Sequence, residues 1–96
     1  MIVHIVMFKF KEENKEANLA EVTKKLNALV DLIPTLKSME VGIDFNKSER
    51  AFDLSLYSTF ETKDDLKTYA VHAEHLKVVA LIKEVTLESK VVDYIL

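Results

Sequence analysis

Met1-Ile-Val-His-Ile-Val-Met-Phe-Lys-Phe10 is the stretch on which the fold turns. Ile2, Val6, Phe8 and Phe10 are apolar on one parity, and Val3, Ile5 and Met7 on the other. Successive side chains of a strand point to opposite faces, so a strand apolar on both parities is covered on both. His4 sits among the apolar residues of the even face. Helices must close one side of this strand's sheet, and something else must close the other.

The following residues supply the first of those helices. From Ala17 onward the apolar residues fall at Leu19, Val22, Leu26, Leu29, Val30 and Ile33. Spacings of three and four put them on one helix face. Pro34 ends the helix, because the residue before a proline is pushed out of the α region. Met39, Val41, Ile43 and Phe45 then alternate with Glu40, Gly42 and Asp44, the pattern of a half-buried strand. Asn46 to Arg50 is a polar turn. Phe52, Leu54, Leu56 and Phe60 alternate with polar residues in a third strand, which the short loop pairs with the second as an antiparallel hairpin. Thr62 followed by Asp65 marks a helix N-cap. A helix from about Lys63 carries Leu66, Tyr69 and Ala70, then Leu76, Val79, Ala80 and Ile82, with a bend or interruption expected at His72 to His75. Val91 to Leu96 reads as a last strand.

The order is β-α-β-β-α-β over residues 1–96, read as one domain. With right-handed crossovers this is an α+β, ferredoxin-like arrangement: four antiparallel strands with the helices on one face. If His4, Val6 and Phe8 face the helices, Val3, Ile5 and Met7 lie on the uncovered face. An apolar patch of that kind marks an interface, and a twofold homodimer closing two sheets face to face is expected.

Composition narrows the function classes. Of 96 residues, 49% are apolar and 30% charged, which is too apolar for a disordered chain. Thirteen Lys/Arg against sixteen Asp/Glu give a formal charge of −3, which argues against a nucleic-acid partner. The chain has no cysteine, so thiol catalysis, disulfides and thiolate metal sites are excluded. No apolar run approaches the ~18–20 residues of a membrane span. The N-terminus lacks a basic leader and a small-residue cleavage site, and a cytoplasmic location is expected.

Three histidines and three tyrosines are the neutral-pH proton handlers besides the carboxylates. Tyr69 and His72 are three apart, as are His72 and His75, so each pair shares a face of a continuous helix. Tyr69 and His75 are six apart and converge only if the segment bends or unwinds. Convergence matters, because acid–base chemistry needs both groups on one substrate. Plainer readings stand beside this one. His4 also reads as a hydrogen-bonded core residue, and Tyr69 as a packed ring with a bonded hydroxyl. His72 and His75 with Glu74 have the donor types of a metal site, but Glu74 points elsewhere on a helix and no second ligand cluster is visible. No metal site is expected.

The opening Met1 to Lys11, the Leu32-Ile33-Pro34 that ends the first helix and the Tyr69-Ala-Val-His-Ala-Glu-His75 run together resemble the stress-responsive dimeric α/β-barrel family. In that family an early strand reads roughly His-x-Val-x-Phe-x-Phe and the second helix opens with Tyr-x-x-His-Pro-x-His. Ala73 stands at the place of that proline. The resemblance covers nearly the whole chain and implies a ferredoxin-like homodimer. A plant cyclase of the family closes a linear polyketide by an aldol step without a cofactor. Carried over residue by residue, the resemblance implies His75 as general base and Tyr69 as the hydroxyl that steadies a developing enolate. His4 and His72 become the substrate-binding candidates, His72 also as a residue that holds the turn. No cofactor is implied. Leu26 stands near the position of a further pocket tyrosine in the cyclase.

The expected function is a stress-responsive homodimer with a small apolar pocket. That pocket would bind or convert a carbonyl-bearing or phenolic molecule by cyclase, lyase or isomerase chemistry. The alternative is a non-catalytic, stress-associated dimer or assembly protein. A void of about 300 Å³ or more touching His4, Tyr69 and His75 favours the first.

Overall fold

The computed structural model describes all 96 residues. Seven elements follow in order: β1 (Ile2–Phe10), α1 (Lys15–Leu32), β2 (Ser38–Ile43), β3 (Leu54–Phe60), α2 (Lys63–Val71), α3 (Ala73–Val85) and β4 (Thr86–Ile95). The strands form one sheet in the order β2-β3-β1-β4, with every neighbouring pair antiparallel. This is the ferredoxin-like topology.

Register decides which side chains share a face. His4 lies opposite Ser58 of β3 and Asp93 of β4, Val6 opposite Leu56 and Val91, and Phe8 opposite Leu54 and Ser89. These residues face the helices. Phe8, Phe10, Leu54, Leu56 and Phe60 join Leu19, Val22, Leu26 and Leu29 of α1, with Tyr69, Val78 and Ile82, in one buried core. Full burial of each such side chain is worth roughly 1.5–3 kcal/mol, the main favourable term in a fold of this size.

The opposite face carries the other parity. Ile5 lies opposite Tyr57 and Val92, Val3 opposite Tyr94, and Met7 opposite Ser55. Val3 is buried there, but Met7, Val92 and Tyr94 are left exposed.

Elsewhere the structure departs from the sequence pattern in four places. α1 starts at Lys15 rather than Ala17, with Asn14 before it in the left-handed region at φ 53°. Asparagine tolerates that conformation better than most residues. Phe45 does not belong to β2: the strand ends at Ile43, the Asp44 carboxylate accepts from the Lys47 amide at 2.7 Å, and Phe45 is 92% exposed. β3 begins at Leu54 rather than Phe52. β4 begins at Thr86, five residues before Val91. The polar Glu88-Ser89-Lys90 run hides its first half from a pattern search, and pairing with β1 is what holds it extended. No helix is long and apolar enough to cross a membrane.

Candidate active site

The site is built on a helix break. α2 ends at Val71 and α3 starts at Ala73, and His72 between them is extended at φ −65° and ψ 137°. In an unbroken helix the Glu74 amide would donate to the Ala70 carbonyl. Here two imidazoles take those places. The Glu74 amide donates to His72 Nδ1 at 3.1 Å, and His75 Nδ1 donates to the Ala70 carbonyl at 3.1 Å. The His72 amide closes the end of α2 on the Tyr69 carbonyl, also at 3.1 Å. The groups that a helix end leaves unpaired are thus satisfied by side chains.

These bonds assign the tautomers. A carbonyl only accepts, so His75 Nδ1 carries the proton and Nε2 is left with the free lone pair. His72 Nδ1 accepts, so it carries none. The break also swings His75 onto Tyr69, six residues away. Their ring centroids are 4.2 Å apart and the planes tilted by 41°. On its other side Tyr69 meets Phe60, at 5.0 Å and 56°.

His4, Tyr69 and His75 together touch one cavity of about 150 Å³ between the sheet and the helices. Val6, Leu26, Leu56 and Val79 supply apolar wall. The cavity is half the ~300 Å³ at which ordinary small-molecule pockets begin. The small pocket expected is there, but below the volume taken to favour ligand chemistry: Tyr69 and the apolar residues of α1 and α3 fill most of the space beneath the sheet.

Each polar group at this end has a distinct state. Tyr69 is 1% exposed, and its hydroxyl has no hydrogen-bond partner within the protein. Burial pushes its pKa up to about 12, so it stays protonated and is a donor at neutral pH. Burial pulls the His75 pKa below its ordinary value, and nearby His4 and His72 add to the effect against the Ala70 carbonyl. His75 is therefore held neutral. His4 Nδ1 is bonded to the Asp93 carboxylate of β4. His72 is not part of the cavity wall; its side chain caps α3.

Asp93 escaped the sequence reading, although it fell within the predicted last strand. Nothing local marks it, because its pairing with His4 depends on the β1–β4 register. Lys83, Thr86 and Ser89 also line the cavity, with Lys83 and Ser89 at its exposed rim. No group of three or more His, Asp or Glu side chains comes together as a metal site.

Comparison with known proteins adds a family. The model of the stress responsive A/B barrel domain matches residues 2–96. A stress-response A/B barrel domain-containing protein of Arabidopsis thaliana is 35% identical over 79 residues, 82% of this chain. The match spans 30% of that longer relative. Olivetolic acid cyclase of Cannabis sativa is 30% identical over 77 residues, covering 78% of this chain and 76% of the cyclase. Among solved structures, a dimeric ferredoxin-like protein of unknown function from Bacteroides fragilis superposes with a TM-score of 0.89 and 32% identity. That likeness covers 97% of this chain and 93% of the other.

Proposed function

The chain belongs to the stress-responsive A/B barrel domain family, and from that premise we propose that it performs cofactor-free acid–base chemistry on a small carbonyl compound. The observation that carries this reading is the buried, unpartnered hydroxyl of Tyr69 and the free Nε2 of His75, carried on rings whose centroids lie 4.2 Å apart at one cavity. Leaving a buried hydroxyl unpaired costs about 1–3 kcal/mol, a cost that a ligand oxygen would relieve.

The two groups have complementary states. His75 Nε2 takes a proton from the carbon next to a ligand carbonyl. The electron pair of the broken C–H bond moves onto the carbonyl oxygen, and the Tyr69 hydroxyl donates to the enolate as it forms. Two groups whose environments push their pKa values apart divide the roles of base and donor. His4, held by Asp93, lines the same wall. The enolate is the common intermediate of cyclase, lyase and isomerase chemistry, and the kinship with olivetolic acid cyclase supports that class.

Acetophenone is a direct probe, because a single ring fits the cavity and its methyl protons exchange through the enolate. Exchange into D₂O, followed by NMR, is expected to be accelerated by the protein. His75→Ala should remove about 10²-fold or more of the acceleration, the usual worth of a positioned base. Tyr69→Phe should remove about tenfold or more while the fold stays intact. The rate should fall as pH drops below ~6.5, with a midpoint under that value, because His75 is held neutral in the folded state. No acceleration at any pH overturns the reading.

The active form proposed is a homodimer closed across the open sheet face, where Met7, Val92 and Tyr94 are exposed. The dimeric neighbour from Bacteroides fragilis supports it. Sedimentation equilibrium should give twice the chain mass; a monomer at micromolar concentration overturns it.

A further inference from the structure

The cavity has two chemically different ends. Along β1, His4 marks one end and Phe8, paired with Ser89, the other, four residues or ~13 Å away. Along α3, His75 and Lys83 are separated by eight residues, ~12 Å. One end therefore holds His4, Tyr69 and His75, and the opposite rim holds Lys83, Thr86 and Ser89. The wall between them is apolar, and its volume of about 150 Å³ matches a cavity that takes one benzene ring.

Charge gives this chamber a direction. At the His4 end the Asp93 carboxylate is bonded to His4 from outside the lining, and no cation of the chain lines that end for an anion to meet. Lys83 stands at the other rim and forms no ion pair within the chain. Of the rim hydroxyls, Thr86 already donates to the Ile82 carbonyl at 2.8 Å and Ser89 is neutral, so neither supplies a positive charge. Lys83 is thus the cationic donor of the rim.

The geometry points to a substrate class: a single-ring or equally short carbonyl compound that carries an anionic group, such as a carboxylate, remote from the carbonyl. The carbonyl reaches Tyr69 and His75, the ring fills the apolar middle, and the anion meets Lys83 at the rim. Long-chain and fused-ring substrates exceed the chamber. This inference rests on the reading of Tyr69 and His75 as the carbonyl end.

Three methyl ketones test it: 4-acetylbenzoate, its neutral isostere 4-methylacetophenone, and the fused-ring 6-acetyl-2-naphthoate. Dissociation constants come from NMR titration, with the His75 and Tyr69 ring signals as reporters. The benzoate is expected to bind about three- to fivefold tighter than the neutral ketone, the usual worth of an exposed ion pair. The preference should shrink in 0.5 M salt, where the Debye length falls to only a few ångströms. Lys83→Met should abolish the preference of the benzoate over 4-methylacetophenone. The naphthoate is expected to bind at least tenfold more weakly than the benzoate. Equal binding of the two single-ring ketones, a preference that survives Lys83→Met, or tight naphthoate binding overturns the inference alone. If no ketone moves the His75 and Tyr69 signals, the proposed function falls with it.

Discussion

The two helical segments pack on the same sheet face and are built to different ends. α1 runs through 18 residues without a break and puts Leu19, Val22, Leu26 and Leu29 into the core. Its apolar face is continuous, and its contribution is packing. The α2–α3 segment covers the neighbouring part of the sheet but gives up its continuity at His72. There a backbone bond is exchanged for two imidazole bonds, and a buried hydroxyl is left without a protein partner. α1 also holds a buried hydroxyl without a partner, at Thr23, so what sets the second segment apart is the break and the imidazoles that close it. The difference separates a continuous helix that packs from a broken one whose break brings Tyr69 and His75 ring to ring.

Substitutions can break or sharpen that contrast. The largest effect belongs to α1. Leu29 is 1% exposed and lies outside the cavity, so Leu29→Ala should cost about 2–5 kcal/mol in chemical denaturation and leave ketone affinity unchanged in the folded fraction. A loss below ~1 kcal/mol would mean that α1 is not the packing element described.

The break responds on a smaller scale and in both directions. His72→Ala removes the side chain that accepts from the Glu74 amide, and should cost about 1 kcal/mol, like the loss of other N-caps. It should also weaken ketone binding, because the turn that sets His75 against Tyr69 loses its cap. Ala73→Pro should move stability the other way, by a gain of about 0.4–1 kcal/mol. Ala73 is the first residue of α3, where an amide lacks an intrahelical partner in any case. His72 before it already holds the extended conformation that a following proline demands. Binding should be kept in Ala73→Pro. A destabilised proline variant would show that the break is not the rigid feature drawn here.

Much of this was legible in the chain because it is local. The spacing from Leu19 to Ile33 specifies one helix face, and Pro34 its end. The alternation on either side of Asn46 to Arg50 specifies the hairpin. Thr62 reads as an N-cap, and its hydroxyl accepts from the Asp65 amide at 3.0 Å. The six-residue step from Tyr69 to His75 reads as needing a bend, and the helix does break at His72. Phe45 and the first half of β4 were read wrongly for the same reason: alternation reports side-chain polarity, and neither residue set is placed by its polarity.

By itself, then, the sequence determined the element order and the identity of the proton-handling residues, since each follows from side-chain periodicity or from a short local spacing; which face of β1 the helices cover was left to the tertiary structure, because both parities are apolar. Tertiary structure alone decided that Asp93 meets His4 across 89 positions of chain. It also decided that His72 caps a helix instead of lining the cavity, that Lys83 stands at the far rim, and that the chamber holds about 150 Å³. Those facts depend on strand register and on how closely two layers pack. Both are set by the sum of many distant contacts, which no short stretch of residues encodes.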